Sequence, residues 1–487
     1  MRRALPGRSV ACAASVALAL LVGAPSARAA TLEVGPGKPY ARPCDAIAAA
    51  QVGDVVEVDA AGNYDGDTCA WSTDGLTVRG VHGRARIDAT GAALTQQKGI
   101  FVIYAPSATI ESFELSGAAI SAANGNNGAA IRHQGLNLTV RDCFLHDNQN
   151  GILGGPLDNG QPADGQGEVL VERSELFHNG AGDGQSHNLY LNHYARFTLQ
   201  FSWSHGADAG HLVKSRALES FVLYNLLSDD GSPNVSYEVN LPDGGTAYVI
   251  GNSIAQAVDP QGLENGGIVD FGSESVQPAS HLYVVHNTLV NRRTQGATFV
   301  HVAAGVTTPA VVRGNVFVGP GTLCSQPTAV LDHNFTAGDP LLADEAADDF
   351  HLLPGSPCVD AGVDPGTGDG RPLLPVYQYV HPASYESRHA VGALDLGAFE
   401  LGGGGGAGGA GAGGSGTGGS GASAGAGGSG AGAGQGAAAP ADGAESTAEA
   451  GGCGCRLAPG GGPAPALATC LGLLLGAAWL RRRRPAA

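Results

Sequence analysis

Charge is scarce in this chain. Only 14% of its 487 residues are charged, 6% are aromatic, and one is methionine. Lysine is nearly absent, with Lys38, Lys98 and Lys214 the only three. A chain so poor in helix formers does not build amphipathic helices, and no 3.6-residue apolar period runs through it. The charge that is present is mostly acidic, with a formal net of −18. Much of the basic count sits at the two ends, in Arg2, Arg3, Arg8, Arg28 and the arginine run 481–484. A body this acidic argues against nucleic acid as a partner. An anionic polysaccharide would need a local basic patch or bridging divalent cations.

Cysteine is sparse too, at nine residues. Cys44 and Cys69 flank the first domain segment, and Cys324 and Cys358 flank the last. Both pairs are disulfide candidates that would close terminal loops, as an exported protein permits. Cys143 has no obvious mate and reads as a small buried hydrophobe. Glycine, in contrast, is abundant at 78 residues, which suits many short strands joined by turns plus a low-complexity stretch.

Residues 1–29 read as a secretory signal: arginines, an apolar run over 10–22, then Ala27-Arg28-Ala29. Residues 30–98 read as an N-terminal cap with the first strands, and its Cys44–Gln51 stretch is a short helix candidate. From 99 to 401 a repeat dominates. With Asn252 as position zero, an apolar residue lies three before (Val249) and another two after (Ile254). The same frame recurs around Phe113, Cys143, Ser174, Ser202, Asn225, Asn287, Asn315 and Asn334, at steps of 19 to 35 residues. Fixed strands with variable loops predict an all-β, single-stranded parallel β-solenoid. Each rung lies about 4.8 Å above the last, and a column of inward zero residues hydrogen-bonds along the stack.

Residues 402–450 are a Gly/Ala/Ser-rich linker expected to be disordered. The segment 451–487 carries Cys453 and Cys455, an apolar stretch over 464–480 at the short limit for a spanning helix, and the arginine run 481–484.

These rungs resemble the right-handed parallel β-helix proteins of the pectate-lyase-like superfamily. The motifs Gly355-Ser-Pro-Cys-Val-Asp-Ala-Gly362 and Asp395-Leu-Gly-Ala-Phe-Glu400 resemble a closing segment common in its bacterial members. The fold hosts lyases, hydrolases, epimerases and proteins without catalysis, so the resemblance implies architecture more than activity. The order of cysteine motif, hydrophobic run and arginine cluster resembles the myxobacterial C-terminal sorting tag (MYXO-CTERM). That resemblance implies cleavage and lipid attachment near Cys453 or Cys455 and display at the cell surface, anchored to the outer membrane. Left unprocessed, the same segment would be a transmembrane anchor.

The stretch 184–217 holds His187, His193, His205, His211, Lys214 and Arg216. Strand alternation decides which residues face out. Burying two unpaired cations costs far more than exposing one leucine, so Lys214 and Arg216 are expected outward. The same test points Tyr190 and Asn192 outward on the rung before, and Glu238 and Asn240 on the rung after. A uronate-cleaving lyase needs a base beside the substrate carboxylate and a cation for the dianion that forms. Lys214 is the candidate base, Arg216 the electrostatic partner, and His187 or His211 an auxiliary acid. Tyr190, Asn192, Glu238 and Asn240 are candidate substrate contacts. Asp208, Asp229 and Asp230 are candidate ligands for a Ca²⁺ ion, the one cofactor such chemistry would use. Some lyases of the resembled superfamily use Lys and Arg. The hydrolase order of acids followed by Gly-His-Gly is absent, because Gly210-His211 precedes Asp229-Asp230. The functional expectation is a surface β-helix that binds or processes polysaccharide, as a uronide lyase if an enzyme. The alternative is a non-enzymatic adhesin or envelope protein.

Overall fold

The computed structural model describes residues 29–230, 235–258, 267–294 and 296–402. The leader, the linker from 403 onward, Cys453, Cys455 and the apolar stretch 464–480 lie outside the described residues. Among the described residues no helix is long and apolar enough to cross a membrane.

Three long parallel sheets form the body. We call the 12-stranded one sheet 1, the 9-stranded one sheet 2 and the 10-stranded one sheet 3. From Leu76 onward the chain visits them in that order on each turn, as in Leu76–Val81, Ala85–Asp88 and Gly99–Ile103, then again in Ser107–Glu111, Phe113–Ser116 and Ala129–His133. The result is an all-β, right-handed parallel β-helix, the hand that parallel crossovers take. Parallel pairing already begins at Thr31–Val34, so residues 30–98 supply rungs as well as a cap. The helix Pro43–Ala49 has proline in its first turn and buries Ala46 and Ile47 over the first rungs. The core is one continuous apolar cluster of inward Val, Ile, Leu and Phe side chains along the whole coil.

The expected zero column exists, and it is a hydrogen-bonded chain. The Cys143 N–H donates to Ser174 Oγ, the Ser174 N–H to Ser202 Oγ, and the Ser202 N–H to Asn225 Oδ1. Asn225, Asn252, Asn287 and Asn315 continue it, each N–H donating to the next asparagine as far as Asn334 Oδ1. The residue before each zero turns the corner from sheet 1 to sheet 2 in the left-handed region: Ser112, Asp142, Arg173, Phe201, Tyr224, Gly251, His286, Gly314 and His333. Left-handed backbone costs a non-glycine residue roughly 1–2 kcal/mol. From Ser174 to Asn315 the buried bonds of the neighbouring zero residue offset that cost.

Beyond residue 335 the chain folds back in short hairpins, including Leu342–Asp344 with Asp349–Leu352 and Tyr377–Val380 with Ser384–Ser387. Phe350, Tyr379 and Phe399 cover Leu226, Ala255 and Val290 on the outer face of sheet 2. Arg388, almost wholly buried, pairs with Glu400 at 2.7 Å and pins this return.

Cys44 and Cys69 form a disulfide, with Cα atoms 5.7 Å apart. The second expected pair does not form. Cys324 ends a strand of sheet 3 and Cys358 lies in the returning segment, and both are free thiols. Cys143 is free and buried, as expected, and burial pushes its thiol up to about 12.

Candidate functional site

The outer face of sheet 3 carries one polar row set by strand register. Tyr190 lies beside Lys214, Lys214 beside Asn240, Asn240 beside Asp270, and Asp270 beside His301. The two inner-facing neighbours of each central residue explain its orientation. Val239 and Leu241 are in the core, so Asn240 must face out, and Val269 and Phe271 do the same for Asp270.

Lys214 is only 9% exposed. Its Nζ stands 5.3 Å from the centre of the Tyr190 ring and donates to Glu274 Oε1 at 3.1 Å. Arg216 donates to the Tyr190 hydroxyl at 3.1 Å and to Asp243 Oδ1 at 2.5 Å, and its other amino group binds Glu274. One carboxylate, that of Glu274, therefore spans both cations. Asp243 is held in turn by His193 Nε2 at 2.9 Å. Glu274 arrives on the loop after Gly267–Phe271, which is tied down where the Glu274 and Ser275 N–H groups donate to the Pro242 carbonyl.

The electrostatics follow from burial and these partners. Desolvation pulls the Lys214 amine below its ordinary value, helped by the Arg216 charge and opposed by Glu274. Burial also works against the Arg216 charge, but Tyr190, Glu274 and Asp243 outweigh it and hold the guanidinium charged. Desolvation raises Glu274, yet Arg216 and Lys214 more than reverse it and keep the carboxylate ionised. A lysine biased toward its neutral amine beside a permanently charged arginine is a base paired with an anion holder.

Further along the row, Asp270 is fully buried. It accepts from Asn240 Nδ2 at 2.7 Å, Ser273 Oγ at 2.5 Å and His301 Nδ1 at 2.7 Å. The hydrogen bond and charge of Asp270 raise His301.

Of the expected site residues, Lys214, Arg216, Tyr190 and Asn240 come together. Asn192 follows the strand Leu189–Leu191 and packs beside Gly155. Glu238 is corrected: it precedes the strand Val239–Leu241, where alternation no longer governs, and is wholly buried. His187 and His211 are corrected as acids. Their rings stack 4.6 Å apart, and each Nδ1 accepts a backbone N–H from the next rung, His211 to His187 and Tyr237 to His211. Burial drives both imidazoles well below their ordinary range, so they are neutral struts. The structure does not assemble the calcium candidates. Asp208, Asp229 and Asp230 do not converge, and no group of three His, Cys, Asp or Glu that could hold a metal exists among the described residues. Asp230 instead pairs with His205 at 3.2 Å.

Asp229 turns inward and forms a buried carboxyl pair with Glu238. Burial raises Glu238 well above its ordinary value and Asp229 to about 7. The sign follows. Unfolded Asp loses its proton near 4, whereas folded Asp229 keeps it to about 7, so the folded state binds more protons between and stability falls as pH rises through that window. Asp229→Asn should flatten this slope, because the amide carries no proton to lose. Urea midpoints for both proteins at about pH 5 and about pH 8 test it. An unchanged slope in the variant would refute the raised Asp229 carboxyl.

Sequence reasoning missed Glu274, Asp270 and His301. Asp270 and His301 were findable, being polar residues with apolar neighbours on both sides in Ile268-Val-Asp-Phe271 and Phe299-Val-His-Val302. Glu274 gives no such signal, because a loop residue's reach is set only by the folded path. A separate trough of about 500 Å³ runs along the outer face of sheet 1, floored by Thr109, Thr139, Leu170 and Thr198. Its bordering charges are paired with one another, Arg196 with Glu168 and Glu219 for example, and it gathers no acid–base set.

No family model matches the chain, and no curated protein does either. Among solved structures, the crystal structure of pectate lyase Pel9A is similar to it, at 14% sequence identity and a TM-score of 0.48, over 77% of this chain and 97% of that one.

Proposed function

We propose that this is an exported surface protein whose sheet 3 face binds an acidic polysaccharide and cleaves it by β-elimination. One observation carries the reading: a single carboxylate sits between a desolvated lysine and a charged arginine on an outward strand face. Glu274 stands where a uronate carboxylate would bind, and its half-exposed side chain can yield that place to substrate. Arg216 then holds the carboxylate and stabilises the dianion that forms when the adjacent carbon loses its proton. Lys214 Nζ takes that proton. The electron pair forms the new carbon–carbon double bond, and the glycosidic oxygen leaves and is protonated by water. The step needs no oxidant, and none is routed through a metal.

The unsaturated product absorbs in the ultraviolet. Incubation with polygalacturonate, alginate and a glucuronan, with and without Ca²⁺, should raise absorbance on at least one. No rise on any of them would sink the lyase reading. One observation favours a second, non-enzymatic reading: every charge in the cluster already has a partner, so the ion pairs also brace the loop to the sheet. Retained glycan binding without product would select it.

A further inference from the structure

We infer that His301, oriented by Asp270, is a second carboxylate-binding position on the same sheet 3 face and sets the minimum length of chain that binds well. The inference rests on the acidic-polysaccharide reading above. Asp270 occupies the outward place on its strand yet is wholly buried, and a buried carboxylate needs its charge compensated. Asn240 and Ser273 supply neutral donors, and only His301 among its hydrogen-bond partners can supply charge. Because His301 uses Nδ1 on Asp270, its Nε2–H is the free donor, and the side chain is 38% exposed. The imidazole thus presents a fixed, charge-assisted donor on the outer face of sheet 3.

Position gives it a role distinct from that of Lys214. Lys214, Asn240, Asp270 and His301 sit on successive strands in one row. Three strand spacings place His301 about 14 Å from Lys214 along the coil. A polymer lying along the row and engaging both must span several sugar units, so a short oligomer reaches one cation or the other but not both. The neighbouring strand Gly321–Cys324 brings no charged side chain to this end of the row, so His301 faces no competing cation from that side.

The test compares binding of hexagalacturonate, trigalacturonate and neutral maltohexaose by calorimetry to the full-length protein and to His301→Gln, at about pH 6. Glutamine keeps a donor but no charge. A charged hydrogen bond lost from one end predicts roughly ten- to a hundredfold weaker hexamer binding in the variant, with trimer binding nearly unchanged. An Asp270→Asn variant, which leaves the imidazole but removes its charge partner, should lose hexamer affinity as pH rises from about 6 to about 8 more steeply than the parent. Equal loss for trimer and hexamer, or no loss for the hexamer, overturns the inference while leaving the polysaccharide reading intact. Failure of the parent protein to prefer either uronide over maltohexaose overturns both.

Discussion

Lys214→Ala is expected to lower uronide cleavage by about two to four orders of magnitude with the β-helix intact, the contribution typical of a positioned general base. The reasoning runs from burial to chemistry. Lys214 is central in the sheet 3 strand Val213–Ser215, whose other two residues Val213 and Ser215 are buried, so its stem is fixed by packing and its amine is largely removed from water. Desolvation lowers its proton affinity, which makes the neutral amine accessible nearer to working pH. The sign of the pH dependence follows. The base must be neutral to act, so cleavage should rise with pH and level off below the value of about 10.4 of a free lysine. Lys214→Arg should be as inactive as the alanine variant, because a guanidinium does not give up its proton. Ultraviolet product formation and circular dichroism on the same samples are the measurements. If the lysine only braced the loop, the alanine variant would keep its rate and lose stability instead. In that variant Glu274 would still hold Arg216, so the loop retains one of its two ties.

How much of this was legible in the sequence differs between scaffold and site. The scaffold follows from inward residues at fixed offsets, and an offset is a local property. Val249, Asn252 and Ile254 declare their rung without reference to any other, and nine such frames mark nine of the twelve strands of sheet 1. Sheet 3 is less legible: in the strand Asn150–Gly154 two glycines and an asparagine hide a single apolar pair. At the site, alternation placed Lys214, Tyr190 and Asn240 correctly because each is central in its strand. It failed for Glu238 because that residue precedes its strand, at a corner where both phases can turn inward. The histidines misled for another reason. Acid–base chemistry and backbone support use the same ring nitrogens, and only the stacked geometry of His187 and His211 separates the two roles.

Asn252→Ala should be among the most destabilising single substitutions in the coil, at about 4–6 kcal/mol from several buried groups losing partners at about 1–3 kcal/mol each. Asn252 Oδ1 accepts the Asn225 N–H and Asn225 Nδ2, each at 2.9 Å, and its Nδ2 donates to the Val222 and Ile250 carbonyls. Alanine leaves all of these without that partner in a place water does not reach. A loss of this size approaches the whole stability of many domains. In a solenoid, however, it falls on one interface between neighbouring rungs. The coil should therefore come apart in two stages around Asn225 and Asn252, giving non-coincident urea transitions where the parent gives one. Serine is the informative control. At positions 174 and 202 a serine already does part of this work: its Oγ accepts the N–H of the preceding zero residue and donates to the carbonyl two residues back. Asn252→Ser should recover those two bonds and about half of the loss, since Asn225 Nδ2 keeps its second partner, the Leu199 carbonyl. If serine and alanine proved equally damaging, the column would owe its strength to amide packing rather than to hydrogen bonds, and the offset that reveals this fold in sequence would need a different physical cause.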